Sequence, residues 1–177
     1  MVFRFDSVLI RSVLIVLDLY EKRKNEHRQS EKEWKGEIIP MTEEEMMLKE
    51  SAIQKANAFS AYNHIEMTVV KKDYAEVRLE LVPESMNFRG TVHGGAYFTM
   101  ADMCSGIVCR TDGRSYATQH ASVEYLRAAD GGVLTGRGTV IHRGRTSCVV
   151  EVRITTEKDL LVFIGTFQFA CIGDKTS

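Results

Sequence analysis

Hydrophobic and polar residues follow two different periods along the chain, and the change of period predicts its first elements. Residues 42–59 have helical composition, and Thr42 with Glu45 forms a capping box at their head. From residue 64 onward the period is two, which is typical of half-buried strands. The pattern therefore predicts one helix, followed by strands at 65–70 and 74–82.

A long run of apolar residues interrupts the strands. From about Gly94 to Arg110 almost every side chain is apolar, and a helix that is hydrophobic on nearly all sides is a buried one. Gly113 lies just beyond it, where glycine commonly ends a helix. Four more strand-like runs, separated by short turns, follow at 115–127, 133–143, 146–156 and 160–171.

This order of elements predicts an α+β fold. Two strands, one buried helix and four strands with short connections imply a largely antiparallel sheet. The helix would cover one face of the sheet, and the other face and the helix ends would be available to a partner subunit. The chain has 177 residues, of which 44% are hydrophobic, enough for the core of one domain of ordinary size.

The first 40 residues differ in composition from the rest. The apolar run at 8–19 is interrupted by charged residues, is too short for a membrane-spanning helix and has no signal-peptide cleavage site. Residues 21–37 carry 11 charged side chains of both signs, a composition that favours a solvated helix or disorder. We expect four regions: a poorly packed extension at 1–40, a helix at 41–60, the main domain at 61–172 and a tail at 173–177.

The extension has two interpretations. Codons for Lys35, Gly36 and Glu37 can form a purine-rich stretch that resembles a bacterial ribosome-binding site, at a suitable distance before the Met41 codon. Residues 1–40 would then be translated leader. The alternative is a genuine amphipathic extension, and the mass of the native protein distinguishes the two.

Composition excludes several classes of function. A net charge of −1 gives no basic bias of the kind that nucleic-acid binding requires. The four cysteines and five histidines show no metal-ligand spacing, so we expect no metal, no cofactor and buried, reduced thiols. Reduced thiols are typical of cytoplasmic proteins, and neither nucleic acid nor a membrane is an expected partner.

Two features at the long helix suit catalysis. Gly94 and Gly95 lie where a loop becomes the helix, and the first N–H groups of a helix have no internal partner, so they suit a developing oxyanion. A simple tight turn would use the same glycines. Asp102 lies among apolar helix residues with no lysine or arginine within a turn, so desolvation would raise its pKa and suit it to be a general base or a nucleophile.

Neighbouring polar residues leave further alternatives open. Thr99 and Ser105 each lie three residues from Asp102 on one helix face. They either line a slot accessible to water or bond back to helix carbonyls. We expect His93 to have a positioning role, because its charged form is disfavoured at a helix N-terminus.

The spacing of these residues resembles a known family. Asn87, the run His93-Gly94-Gly95 and Asp102 look like the signature of the hotdog-fold acyl-CoA thioesterases of the phenylacetate-pathway (PaaI) type. Two later segments, which end at Arg127 and Arg145, are similar to the same family's later segments in order and spacing. The resemblance covers residues 60–172.

The resemblance implies a fold, a reaction and catalytic roles. The fold is the hotdog, a curved antiparallel β-sheet wrapped around a long central helix, and the reaction is hydrolysis of an acyl-CoA to a free acid and CoA. Asp102 would attack the thioester or activate water, and the His93-Gly94-Gly95 turn would hold the thioester carbonyl. Asn87 would orient water or the leaving sulfur. Thr118 would reach the nucleophilic water from across a dimer.

The same resemblance implies where coenzyme A binds and how the chain assembles. CoA would lie against Tyr125, and its phosphates against the turn formed by Arg143, Gly144, Arg145 and Thr146. His120 stands where the family often has a smaller or acidic residue, so the pocket wall is expected to differ there. A homodimer is the minimum expectation, and a homotetramer is common in the family.

Two other functions are compatible with the same fold. The first is a non-catalytic module that binds an acyl-CoA as a ligand, and tight binding without hydrolysis would favour it. The second is a hotdog dehydratase, but the His-Phe-Pro-Gly type of segment characteristic of those enzymes is absent from the sequence. The acyl group is not specified by any of these motifs.

Overall fold

The computed structural model describes residues 18, 22 and 41–173. Almost all of the predicted extension at 1–40, and the tail beyond residue 173, lie outside the described residues. Among the described residues, no helix has both the length and the apolar character needed to cross a membrane.

The N-terminal helical region consists of two helices rather than one. Helix α1 spans Glu43–Ala56, and the predicted capping box of Thr42 and Glu45 is present at its head. Helix α2 spans Ala58–Tyr62. The predicted single helix at 42–59 is wrong at Asn57, where the backbone is extended and the side chain accepts a hydrogen bond from the Ser60 N–H at 3.3 Å, so it caps a second helix.

Six antiparallel strands form one sheet in the order β1-β2-β4-β5-β6-β3. Their bounds confirm the predicted strands to within about two residues, which is the usual accuracy of such boundaries. The strands are β1 Ile65–Lys71, β2 Tyr74–Glu80, β3 Ser115–Tyr125, β4 Val133–Arg143, β5 Ser147–Thr156 and β6 Leu161–Gly173. Strand β3 forms one edge of the sheet, next to β6.

The long helix α3, Gly94–Cys109, packs against this sheet, and nine of its 16 residues are buried. Two glycines of β4 allow the close approach. A Cβ at Gly136 would lie 3.2 Å from Met100, and one at Gly138 would lie 3.0 Å from the Cys104 sulfur. A 3-10 turn follows α3 and ends at Gly113, whose φ of 86° confirms the predicted glycine stop.

Candidate active site

The start of α3 is organised by His93. Its Nδ1 accepts a hydrogen bond from the Gly95 N–H at 2.9 Å, and its carbonyl accepts one from the Ala96 N–H at 2.9 Å. Nδ1 is therefore unprotonated, and in the neutral ring the hydrogen lies on Nε2. Within residues 41–173 the Gly94 N–H has no partner. His93 thus occupies the amide of Gly95, and that of Gly94 is available; that this turn holds the thioester carbonyl stays a prediction.

Asn87 holds the loop that leads into this turn. Its side-chain oxygen accepts from the Arg89 N–H at 2.8 Å and the Thr91 N–H at 3.4 Å. Its side-chain nitrogen donates to the Thr91 hydroxyl at 2.9 Å and to the Val92 carbonyl at 3.4 Å. These bonds use the amide's hydrogens and position the loop before His93; the role of Asn87 toward water or the leaving sulfur stays a prediction.

Asp102 and Thr118 meet within one chain. The Thr118 hydroxyl on β3 donates a hydrogen bond to Asp102 Oδ1 at 3.1 Å. Burial raises the pKa of Asp102, while this bond and the charge of Arg110 act in the opposite direction. Thr118 thus contacts the carboxylate of its own chain, and its reach to a reacting water across a dimer stays a prediction.

A β-bulge in β3 decides which side chains face α3. The register of β3 and β6 shifts between Thr118 and His120, so Thr118 lies opposite the buried Phe169 and His120 opposite the exposed Gln168. Directly opposed residues of two strands share a face. Thr118 therefore faces the helix and His120 the opposite side of the sheet, and an effect of His120 on the pocket wall stays a prediction.

Ser105 shows which of the two predicted uses of the polar stripe is realised there. It is fully buried, and its hydroxyl donates to the Asp102 carbonyl at 2.9 Å, so it bonds back to the helix. Thr99 instead lines a cleft of about 270 Å³ beside the start of α3. His93, Gly95, Tyr62, His64 and other polar and apolar residues share this lining.

Tyr125, a predicted CoA contact, lies against the start of α3. A Cβ on Gly94 would meet its ring at 3.4 Å. The ring of Tyr125 packs edge-on against Phe163 with centroids 5.3 Å apart, and tilted against Tyr97 at 6.3 Å. About half of Tyr125 is exposed, so it can contact a ligand at the helix start while its inner face is fixed by packing.

Arg143, in contrast, has no donor left for a phosphate. Its guanidinium donates to Asp73 at 2.7 Å, to Asp112 at 2.8 Å and to the hydroxyl of Tyr116 at 3.0 Å. It also donates to the carbonyl of Cys109 at 2.8 Å, at the C-terminal end of α3. The expectation that Arg143 binds CoA phosphates is therefore corrected to a structural role.

The rest of the predicted phosphate turn lies at this same end of α3. Arg114 donates to the carbonyls of Gly144 at 3.1 Å and Arg145 at 2.8 Å and so fixes the turn. Arg145 and Thr146 are exposed. They remain predicted phosphate contacts, at the opposite end of α3 from Tyr125.

Sequence reasoning missed a buried ion pair beside the candidate site. The carboxylate of Glu50, on α1, accepts from Arg110 Nη2 at 2.7 Å and from Nε at 3.2 Å. Arg110 lies eight residues after Asp102, two turns away on the same helix face, and so outside the single turn that contains no lysine or arginine. The sequence signal for it is Gly106, halfway between the two residues. Because glycine has no side chain, it leaves room on that helix face for the side chain of Arg110.

Comparison with known proteins agrees with this geometry. Residues 89–163 match the family model described as the thioesterase superfamily. A hypothetical thioesterase from Streptococcus pneumoniae, solved with coenzyme A, is 32% identical, with a TM-score of 0.64; the match covers 70% of this chain and 99% of that one. The chain belongs to the thioesterase superfamily.

Two further relatives refine this membership. A Streptococcus mutans protein bound to acetyl CoA is 30% identical, with a TM-score of 0.63; the match covers 68% of this chain and 98% of that one. The acyl-coenzyme A thioesterase PaaI of Escherichia coli is 23% identical over 55% of this chain and 71% of its own. Its solved structure has a TM-score of 0.72 over 76% of this chain and 98% of that one.

These comparisons confirm the predicted PaaI-type hotdog fold. They also confirm the predicted enzyme class: this member of the thioesterase superfamily is a thioester hydrolase. The S. pneumoniae relative has additionally been solved as two variants, in which one threonine or one aspartate is replaced by alanine.

Proposed function

We propose that the chain hydrolyses an acyl-CoA thioester with Asp102 as its reacting carboxylate. The observation that carries this proposal is the bond from Thr118 to Asp102, a residue of the helix whose first amide, at Gly94, has no partner among residues 41–173. A carboxylate with a raised pKa accepts a proton more readily than an ordinary one, and a helix N-terminus stabilises an oxyanion.

The reaction has a balanced route through these groups. Asp102 takes a proton from water as the oxygen attacks the thioester carbonyl carbon, and the negative charge that forms on the carbonyl oxygen is stabilised by the Gly94 N–H. The carbon–sulfur bond then breaks, and the proton passes to the CoA thiolate. The alternative route is attack by Asp102 itself, which releases CoA thiolate and leaves a mixed anhydride for water to hydrolyse.

Each site requires two copies of the chain. Gly94 and Asp102 are eight residues apart on one helix, a rise of about 12 Å, whereas a carbonyl group must contact both within roughly 3–3.5 Å. The amide of one copy must therefore meet the carboxylate of another. Strand β3 is an open sheet edge with most of its residues exposed, so it offers a surface on which two copies can pair. We propose a homodimer as the minimum assembly.

The relatives support the substrate and the residue pair. The proteins from S. pneumoniae and S. mutans are named as bound to coenzyme A and acetyl CoA, respectively. The aspartate and the threonine replaced in the S. pneumoniae variants are 16 positions apart, the same spacing as Asp102 and Thr118. The predicted contacts of CoA with Tyr125, Arg145 and Thr146 belong to this proposal.

The principal test measures thiol release from a panel of CoA esters. Asp102→Asn keeps the acceptor for Thr118 but removes the base, so kcat should fall roughly a thousandfold while the circular dichroism spectrum is unchanged. Glu151→Gln, on the exposed face of β5, is the charge-matched control. Full activity of Asp102→Asn would falsify the mechanism, and tight binding of CoA esters without hydrolysis would favour a binding module.

A mixing experiment tests the two-copy site. Asp102→Asn and a second inactive variant, Gly94→Val, are purified separately and then refolded together. If each site takes its amide from one copy and its carboxylate from the other, mixed dimers contain one intact site, and activity returns to roughly a quarter of the wild-type value. Sites formed within one chain predict no recovery at all.

A further inference from the structure

The C-terminal half of α3 carries a buried ion pair that the proposed reaction does not use. Glu50 on α1 is only 2% exposed, and its carboxylate is bonded by both Nε and Nη2 of Arg110, the C-cap residue of α3. Burying two charges carries a large desolvation penalty, and such a pair is weak evidence for stability by itself. Its position relative to Asp102 suggests another role.

Gly106 brings Arg110 onto the face of the helix that carries Asp102. The three residues are four apart in succession, so they lie along one face of α3. Helical side chains lean toward the N-terminus, and Arg110 therefore lies over Gly106, where a Cβ would be 3.3 Å from its Nη1. Its guanidinium is thus bonded to Glu50 on the helix face that carries Asp102, and its charge acts on that carboxylate.

Among the described residues of one copy, few charges act on Asp102; in the proposed two-copy site the partner's His93 also faces it. Arg110 is the charged group that acts on it, against the effect of burial. Strand β3 faces it with the neutral Thr118; of the titratable residues beside Thr118 on that strand, Tyr116 bonds Asp112 and Arg143, and His120 lies opposite the exposed Gln168. From α1, the acidic group bonded to Arg110 is Glu50.

We propose that Glu50 and Arg110 are positioning residues of the active site: Arg110 supplies positive charge to Asp102, and Glu50 limits how much of that charge Asp102 experiences. This rests on the proposed function, in which Asp102 reacts as a carboxylate. Glu50 lies outside residues 89–163, the part of the chain that matches the family model. Helix α1 is therefore part of the catalytic apparatus and not only a cover for the core.

The test compares two substitutions that remove opposite charges. Glu50→Gln retains an oxygen that can accept from Arg110 but removes the negative charge, so Asp102 should ionise at lower pH. Arg110→Gln removes the positive charge, so Asp102 should ionise at higher pH. The acid limb of kcat/KM against pH should move by roughly half a unit to one unit in these opposite directions. Arg110→Lys retains the charge and should leave the limb close to its wild-type position.

A second readout is independent of turnover. The carboxyl carbon of Asp102, followed by NMR through a pH titration, should show the same opposite shifts. Glu151→Gln, which removes a charge from the exposed pair with Arg153, should move neither readout.

The outcomes separate this proposal from the proposed function. A folded Glu50→Gln protein whose acid limb and Asp102 titration match the wild type overturns the proposal, even if Arg110→Gln fails to fold. The pair then only anchors α1. Absence of thioester hydrolysis in the wild type overturns the proposed function, and with it the catalytic role of the pair, whatever the titration shows.

Discussion

The two ends of helix α3 are built in opposite ways. At its start the chain is exposed, the turn contains two glycines, and the amide of Gly94 has no partner among the described residues. At its end Arg143 bonds the Cys109 carbonyl and the carboxylates of Asp73 and Asp112, while Glu50 holds Arg110. One end of the helix leaves its polar groups available for a ligand, and the other satisfies them with charged side chains.

This contrast separates the groups that react from the groups that hold the fold. The unsatisfied N–H groups at a helix start are available for an oxyanion at no cost in reorganisation. The carbonyls at a helix end have no comparable use in this reaction, so bonding them to Arg143 stabilises the fold without affecting the site. Asp102 lies between the two ends, and the charge of Arg110 at the C-terminal end acts on its pKa.

The largest expected effect is loss of stability at the C-terminal end of α3, called the closed end because charged side chains satisfy its polar groups. Arg143→Met leaves the carboxylate of Asp73 without its cation and that of Asp112 with Arg114 alone, and breaking a partly buried ion network of this kind costs roughly 2–4 kcal/mol of unfolding free energy. Urea denaturation measures it. Arg153→Met, which removes an exposed pair with Glu151, should cost less than about 1 kcal/mol. Equal losses in the two variants would contradict the structural role of Arg143.

At the N-terminal end of α3, the open end, the expected effect is on turnover and not on stability. A Cβ at Gly95 would lie 3.0 Å from His93 Nδ1, so Gly95→Ala should displace the imidazole and disturb the amide turn. We expect kcat/KM to fall by roughly 30- to 100-fold, while the unfolding free energy changes by less than about 1 kcal/mol. Gly131→Ala, where a Cβ meets nothing within 4 Å, is the matched control. If Gly95→Ala lost enough unfolding free energy to explain its lower activity, the start of α3 would also serve to hold the fold, and the two ends would not differ in role.

Asp112 should show how the closed end depends on pH. Burial opposes its ionisation, but bonds from Tyr116 and Arg114 and the charge of Arg143 outweigh burial, so the pKa of Asp112 is lowered. Its contribution is present above the unfolded-state pKa near ~4 and is lost as the pH falls through the folded value. Asp112→Asn should therefore cost about 1–2 kcal/mol at pH 7 and much less near pH 2. A cost that does not depend on pH would show that its charge is not involved.

The sequence predicted the elements well because their signals are local. The two-residue period of β2 and the apolar run of α3 follow directly from which faces are buried. The turn at His93 and the carboxylate at Asp102 were predicted because glycines and an acid in an apolar helix are unusual there. The resemblance then supplied Thr118, and the structure adds its bond to Asp102 of the same chain.

The corrected predictions depended on contacts between residues that are distant in the chain. Arg143 was predicted to bind phosphate. The carboxylates that occupy it, Asp112 and Asp73, lie 31 and 70 residues away along the chain, so the local sequence did not reveal them. The face occupied by His120 depended on a bulge that no composition signal marks. Glu50 and Arg110 are 60 residues apart, and neither has a motif of its own.

The smallest expected effect is a gain in stability at Asp102, with a sign opposite to that at Asp112. Burial raises the pKa of Asp102, so its ionisation opposes folding, and this penalty appears as the pH rises above the unfolded-state value near ~4. Asp102→Asn removes the penalty and should raise the unfolding free energy by a few tenths to about 1 kcal/mol at pH 7, with no gain near pH 3. Urea denaturation of the wild type and of this variant at both pH values measures the difference. A loss of stability at pH 7 would mean that the bond from Thr118 and the charge of Arg110 outweigh burial, and Asp102 would then be held by the fold in the same way as Asp112.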